Sequence, residues 1–109
     1  MIDESAPTPR IEFSQEALGA FCRKWMITVL SFFGSVLRDD FGPDSDVDVL
    51  VTFAQGSHWT LLDLVRMETE LSKLFGRKVD LVVRDSVERS KNPRRRREIL
   101  TTAQQVYAA

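Results

Sequence analysis

The sequence has few of the residues on which disulfides and zinc clusters depend. Among its 109 residues, Cys22 is the only cysteine and His58 is the only histidine. A single cysteine excludes an internal disulfide and a cysteine-based zinc cluster, and it is compatible with a reducing compartment. Cys22 falls on an apolar helical stripe, so we expect it to pack in the core.

Long apolar runs and an excess of charge of one sign are absent as well. Fifteen basic residues nearly balance sixteen acidic ones, so no overall field attracts nucleic acid. The apolar run Met26–Phe33 is too short to span a bilayer, and residues 1–10 have no apolar segment typical of a signal peptide. We expect a cytoplasmic protein that binds neither membranes nor, directly, nucleic acid.

Hydrophobic periodicity predicts a flexible leader over residues 1–12 and one α/β domain over residues 13–109. The domain is expected to be a small mixed β-sheet flanked by helices, in the order αβαβαβα. The predicted strands are 27–33, 46–53 and 78–83, and the predicted helices are 15–25, 36–41 (a single turn), 59–75 and 94–107. In the last helix, the positions expected to face inward are Ile99, Leu100, Ala103, Val106 and Tyr107.

Two aspartates open the second predicted strand. Asp46 and Asp48 are two positions apart, so their side chains lie on one face of the strand, about 6–7 Å apart. Carboxylates this close repel each other unless a cation lies between them. Because Mg²⁺ prefers one or two carboxylates together with phosphate and water, the pair predicts a site for magnesium and a nucleoside triphosphate.

A third aspartate interrupts the apolar third strand. If that strand lies beside the second, Asp80 joins Asp46 and Asp48. Three carboxylates around one or two metal ions suit in-line displacement at phosphorus. One of them could also accept the proton of the attacking hydroxyl.

Gly34 and Ser35 end the first strand and predict a phosphate-binding turn. A glycine lets the backbone approach phosphate closely, and Ser35 offers a hydroxyl and an N–H group. A short helix starting there would direct further N–H groups at the anion. Arg38 could reach the same phosphates as a cation.

The pattern of Gly-Ser, ten residues, then Asp-x-Asp resembles the signature of the polymerase-beta-type nucleotidyltransferase superfamily. The segment GSVLRDDFGPDSDVDVLVTF resembles the small prokaryotic branch of that superfamily, the minimal nucleotidyltransferases. The similarity continues through LLDLVRMETELSKLFGRKVDLV and REILTTAQQVYAA, and so covers roughly residues 14–109. One departure is Asp39, which stands where the family often has glycine.

The resemblance implies ATP as the donor, Mg²⁺, and transfer of AMP to a hydroxyl. The catalytic and metal-binding residues that it implies are Asp46, Asp48 and Asp80, and the triphosphate-binding residues are Gly34, Ser35 and Arg38. Many such small proteins resemble antitoxins that are paired with a HEPN-domain ribonuclease toxin. In those pairs the antitoxin attaches AMP to a tyrosine of the toxin, so the implied partner is a HEPN toxin.

Two other functions stay open. The basic cluster of Lys91 and Arg94–Arg97 lies at a helix start, where arginines oppose the helix dipole. That cost favours contact with an acidic partner, so the chain could mask a toxin without chemistry, although a solvated helix start or an RNA contact also fits the pattern. The third possibility is a small-molecule nucleotidyltransferase of the aminoglycoside-modifying type, but those enzymes generally carry an additional acceptor-binding domain.

Overall fold

The computed structural model describes residues 13–34 and 46–109. Its helices are α1 Gln15–Lys24, α2 Leu61–Phe75, α3 Arg84–Glu88 and α4 Pro93–Thr102. Its strands are β1 Ile27–Phe33, β2 Val47–Phe53, β3 Val79–Val83 and β4 Gln104–Ala108. The predicted leader and the predicted helical turn at 36–41 lie outside the described residues. Within the described ranges, no helix is both long and apolar enough to cross a membrane.

The described strands form one mixed sheet in the order β3-β2-β1-β4. β1 is antiparallel to both β2 and β4, whereas β2 and β3 are parallel and are joined through α2. Parallel neighbours need such a crossover, and a helix usually provides it. The predicted mixed α/β fold is therefore confirmed, and the first three predicted strands agree with the observed ones to within one residue.

The prediction for the C-terminal segment was wrong. The expected helix over 94–107 ends at Thr102, the backbone becomes extended at Ala103, and residues 104–108 form β4 along the open edge of β1. Val106 and Tyr107 do pack against the main core, but from a strand. Helical spacing of apolar residues cannot reveal that a sheet edge is available for backbone pairing, and here that pairing decides the outcome.

The segment after β3 also differs from its prediction. It contains the short helix α3, although no element was predicted between the strand that ends at residue 83 and the helix that begins at residue 94. The described elements therefore follow the order αββαβααβ, with one more helix and one more strand in the C-terminal third than expected.

The main core lies between one face of the sheet and the helices α1 and α2. From β2 it receives Val47, Val49 and Val51, which are fully buried, as their alternation with polar positions predicts. Cys22 of α1 is fully buried in the same core, as expected. Burial raises the pKa of its thiol to about 12, so the thiol stays protonated at neutral pH.

A smaller apolar cluster covers the opposite face of the sheet. It is formed by Phe33, Leu50, Val87 and Ile99, so β1 and β2 contact α3 and α4 here. Leu50 follows Asp48 by two positions and shares its face of β2. The cluster therefore lies on the face that carries the aspartates and reaches Phe33, the residue of β1 that pairs with Asp48.

Helix α2 begins and ends with well-formed caps. Thr60 and Asp63 form a capping box, and the hydrogen bond from the Thr60 backbone N–H holds the pKa of Asp63 below its usual value. At the other end, Gly76 adopts the left-handed conformation with φ of 67°, as its position after an apolar stripe predicts. These caps fix the length of the helix that leads into β3.

A carboxylate joins α2 to α1. Glu70 accepts hydrogen bonds from Trp25 Nε1, at 2.6 Å, and from Lys24 Nζ. Burial raises the pKa of Glu70, but these hydrogen bonds and the charges of Lys24 and Lys73 outweigh it, so the net shift is downward. The carboxylate therefore fixes the two helices against each other without contacting the sheet residues of the site.

Leucines on the two sides of α2 test this packing. Leu71 is fully buried and Leu61 is 78% exposed, so the same substitution can be compared on one helix. We expect Leu71→Ala to lower the free energy of unfolding by about 2–5 kcal/mol, because it removes core contacts and leaves a cavity. Leu61→Ala should change it by less than about 0.5 kcal/mol in the same urea titration. Equal losses for both variants would contradict the described packing.

Candidate functional site

The site lies at one end of the sheet, where β1 ends and β2 and β3 begin. β1 ends at Phe33, followed by Gly34, and β2 and β3 begin after Asp46 and Lys78. Because β1 is antiparallel to β2 and β2 is parallel to β3, the end of β1 and the starts of the other two strands are adjacent. The predicted site residues that the structure describes all lie at this end of the sheet.

Two of the predicted catalytic residues are direct neighbours. Asp48 of β2 and Asp80 of β3 are partners in the parallel register, with Cα atoms on strands about 4.8 Å apart. Val47 and Val79 beside them are buried in the main core, so both aspartates project from the opposite face. The predicted juxtaposition of Asp80 with the second strand is therefore present.

Asp46 completes the group at the start of β2. It lies immediately before the strand, two residues from Asp48, and it is exposed, as is Asp80. In the ranges 13–34 and 46–109, no three acidic, histidine or cysteine side chains form a group that could hold a metal ion. The assignment of all three aspartates to a metal stays a prediction.

The donor set nevertheless fits magnesium in its chemistry. Mg²⁺ binds proteins through one or two carboxylates and takes its remaining ligands from phosphates and water. The register supplies one such pair, Asp48 and Asp80, on a single face of the sheet. Carboxylate oxygens are also the hard donors that this ion prefers.

Gly34 places a turn of backbone directly against one of these carboxylates. Its φ is +74°, and a Cβ atom added there would lie 2.5 Å from Oδ2 of Asp48. Any other residue would therefore meet both a strained backbone and a clash with the carboxylate. Ser35, Arg38 and Asp39 lie outside the described residues, so the phosphate-binding roles of Ser35 and Arg38 stay predictions.

Two further residues support the site, and sequence patterns alone did not single them out. Glu68 and Ser72 of α2 accept hydrogen bonds from the backbone N–H groups of Leu81 and Val79, at 2.9 and 3.1 Å. These N–H groups flank Asp80 on the edge strand. The available signal was the spacing of four between two polar residues on a helix whose neighbouring positions Met67 and Leu71 are buried.

His58 belongs to a different part of the molecule. It is exposed in the loop that follows the far end of β2, and Asp48 lies near the start of that strand. The five steps from Asp48 to Phe53 alone span about 16 Å. The place of His58 in the fold therefore gives no support for a role at the carboxylate site.

The arginine cluster lies at the start of α4. Arg94, Arg95 and Arg97 are exposed, and in the described part of the chain none of them forms an ion pair. Arg96 is half-buried and donates a hydrogen bond to the carbonyl of Ser90 at 3.2 Å. The first turn of α4 contains no acidic residue that would complement the helix dipole.

A cavity of about 150 Å³ lies between α3 and α4, next to this cluster. Arg95 and Arg96 line it, and Val82 of β3 is also part of its wall. Val82 follows Asp80 by two positions and shares its face of the strand. The cavity therefore extends from the arginine cluster to the strand that carries Asp80.

Comparison with known families identifies the domain. Residues 14–105 match the family model described as "Nucleotidyltransferase domain". The chain belongs to the nucleotidyltransferase domain family. The match covers α1 and all four strands in whole or in part, and it includes every predicted site residue.

Two relatives share considerable sequence identity with this nucleotidyltransferase domain. A "putative protein adenylyltransferase" of Methanocaldococcus jannaschii is 42% identical over 57 residues, which are 52% of this chain and 59% of the relative. The chain thus matches about three fifths of the length of that relative. A solved structure of a "putative minimal nucleotidyltransferase" is 34% identical with a TM-score of 0.62, over 84% of this chain and 86% of that one.

A more distant solved structure shares the fold. It is a crystal structure of a toxin–antitoxin with AMP-PNP, and it matches with a TM-score of 0.66 over 88% of this chain and 74% of that one. The sequence identity is 17%. This similarity shows the fold, and the minimal nucleotidyltransferase at 34% identity agrees with the family that the Gly-Ser and Asp-x-Asp pattern resembles.

Two glycines with the same backbone conformation allow the effect of backbone strain to be distinguished from the effect of contact with Asp48. Gly34 and Gly76 have φ of +74° and +67°, but an added Cβ meets Asp48 only at Gly34 and has open space at Gly76. Gly76→Ala should lower the free energy of unfolding by about 1 kcal/mol, because alanine is strained at positive φ.

Gly34→Ala should cost more than Gly76→Ala, and it should also weaken Mg²⁺ binding, because Asp48 has to move. Urea titrations and a magnesium titration followed by NMR measure the two effects. If Gly34→Ala and Gly76→Ala behaved alike in both measurements, the contact between Gly34 and Asp48 would have no influence on the site.

Proposed function

We propose that this domain is a magnesium-dependent antitoxin that transfers AMP from ATP to a tyrosine hydroxyl of a HEPN-domain ribonuclease toxin. The observation that carries the proposal is the in-register pair Asp48 and Asp80 beside the backbone turn at Gly34. The relative named as a protein adenylyltransferase and the similar toxin–antitoxin structure with AMP-PNP support the type of reaction and of partner.

Each residue has a defined part in binding the donor. Asp46 and Asp48 would hold Mg²⁺ with Asp80, and the ion would neutralise charge on the phosphate oxygens when bound. The backbone at Gly34 and the side chain of Ser35 bind the β- and γ-phosphates, and Arg38 adds a positive charge. ATP is thereby oriented with its α-phosphate near the carboxylates.

The transfer is an in-line displacement at phosphorus. The acceptor oxygen forms a bond to the α-phosphorus while the bond from that phosphorus to the oxygen bridging to the β-phosphate breaks. Pyrophosphate leaves, and the hydroxyl proton passes to the carboxylate of Asp80. Asp80 is suited to this part because it is exposed on the edge strand, where an acceptor carried by another protein can reach it.

The test is label transfer in the reconstituted pair. The purified chain is incubated with Mg²⁺, ATP labelled at the α-phosphate and the toxin protein encoded beside its gene. We expect label on the toxin, and Asp46→Asn/Asp48→Asn should lower the rate at least about 100-fold, because both metal-binding charges are removed. A folded wild-type chain that leaves the toxin unlabelled would contradict the proposal.

The control removes the same number of charges elsewhere. Asp85 and Glu88 of α3 are exposed and pair with Arg89 and Arg84, respectively. Neither lies at the end of the sheet that carries Asp46, Asp48 and Asp80. Asp85→Asn/Glu88→Gln should therefore leave the rate of AMP transfer within about twofold of the wild type, since exposed ion pairs contribute little to stability.

A second function, masking of the toxin by surface contact alone, is favoured by the arginines of α4. Exposed arginines at the positive end of a helix, without ion pairs in the described ranges, gain energy when an acidic partner covers them. The two functions separate in the Asp46→Asn/Asp48→Asn variant. Full neutralisation of the toxin by that variant would favour masking, and loss of neutralisation would favour the chemistry.

Charge reversal on α4 tests whether this surface contacts the toxin. Arg94→Glu/Arg97→Glu should weaken the complex at least about tenfold at low salt, with a smaller difference at high salt, because the contact is between exposed charges. Arg66→Glu/Lys73→Glu on α2 is the matched control, because these residues are also exposed and lie on the helix at the opposite face of the sheet. Titration calorimetry measures both, and equal losses would argue against a specific role of α4.

A further inference from the structure

We infer that Glu68 and Ser72 are positioning residues, which hold Asp80 beside Asp48 by fixing the edge strand β3 to helix α2. The catalytic consequence rests on the proposed function. The structural part concerns only the hydrogen bonds between α2 and β3, and it can be measured without the toxin.

The need for such a link follows from the place of β3 in the sheet. β3 is the last strand of the order β3-β2-β1-β4, so it pairs with β2 on one side and with no described strand on the other. An edge strand has outward backbone N–H groups that need partners. In β3 two of these groups have side-chain partners on α2, since Val79 donates to Ser72 Oγ and Leu81 donates to Glu68 Oε2.

These two hydrogen bonds lie on either side of Asp80. The register with β2 makes Asp48 and Asp80 neighbours on one face of the sheet, where like charges repel each other. The strand with only one neighbour is the one that such repulsion can displace. Two hydrogen bonds to the backbone next to Asp80 oppose this displacement, and the bond to Glu68 is of the stronger, charge-assisted kind.

Helix α2 is a firm support for this purpose. Met67 and Leu71, which alternate with Glu68 and Ser72 along the helix, are fully buried in the main core. The backbone N–H of Leu81 and the Glu68 carboxylate are partly buried, so water competes less for their hydrogen bond. The position of Asp80 is therefore coupled to the core through α2, not only through its pairing with β2.

The same bonds determine how a partner can approach. A partner that added a strand to β3 would need the N–H groups of Val79 and Leu81, and these are already occupied. Strand addition at β3 is therefore disfavoured, and the face of the sheet, where Asp80 is exposed, is the route that we infer for the acceptor hydroxyl.

Glu70 supplies a matched control for Glu68. It lies two residues further along the same helix and is also a half-buried carboxylate that accepts hydrogen bonds, but its donors are Trp25 and Lys24. Glu70→Leu thus removes a comparable link between α1 and α2 and leaves β3 bound. A general loss of stability should affect both variants, whereas loss of positioning should affect only Glu68→Leu.

The experiment measures amide exchange by NMR in the full chain, followed by a titration with Mg²⁺ alone. In Glu68→Leu we expect the amide of Leu81 to exchange at least about tenfold faster and Mg²⁺ affinity to fall about 10–100-fold, as for other residues that orient metal ligands. Glu68→Gln keeps an oxygen acceptor and should restore most of both. Ser72→Ala should accelerate exchange at Val79, and Glu70→Leu should change neither exchange in β3 nor Mg²⁺ affinity.

AMP transfer adds a functional measurement. For Glu68→Leu at saturating Mg²⁺ we expect kcat to fall about 10–100-fold with little change in the KM for ATP, because the donor-binding turn at Gly34 is unaffected. The inference is overturned if exchange at Leu81 is the same in Glu68→Leu as in the wild type, or if Glu68→Leu and Glu70→Leu lower Mg²⁺ affinity equally. A wild-type chain that transfers no AMP would overturn the proposed function, while the exchange and Mg²⁺ results would still decide the role of Glu68.

Discussion

The structure of this domain depends on the parallel, in-register pairing of β2 with β3, which brings Asp48 and Asp80 side by side. Adjacent like charges are unfavourable in a fold selected for stability alone. The apolar residues next to them in sequence offset this cost, because Val47, Val49 and Val79 are buried in the core between the sheet and the helices. The aspartates are therefore held by neighbours that are anchored in the main core.

The two faces of the sheet have different roles, because one packs in the main core and the other carries the aspartates of the site. One face is covered along its length by α1 and α2 and supplies most of the buried apolar residues. On the other face, α3 and α4 cover Leu50 in the middle and Phe33 at the end of β1, while Asp46 and Asp80 stay exposed. Helix α2 contributes to both stability and the site. It packs in the core, and its side chains Ser72 and Glu68 accept hydrogen bonds from the backbone of β3.

How far sequence reasoning succeeds depends on whether the forces are local. The strands β1 to β3 and the helices α1 and α2 were predicted to within about two residues, because alternation, helical spacing and the caps act over a few positions. It failed at residues 104–108, where an apolar pattern compatible with a helix pairs instead with the open edge of β1. It also missed α3 and the role of Glu68, since both depend on residues distant in sequence.

The sequence by itself determined that Asp48 lies on the face of β2 opposite its buried valines and that Gly34 ends the strand before it, because these features follow from the period of a β-strand and from the conformational freedom of glycine. It also carried the pattern that places the chain among the nucleotidyltransferase domains. Only the tertiary structure decided that β3 lies next to β2 with Asp80 opposite Asp48, that Gly34 touches the carboxylate of Asp48, and that α2 holds the edge strand. These are contacts between segments far apart in the chain, and strand order and register arise from the packing of the whole domain rather than from any local pattern.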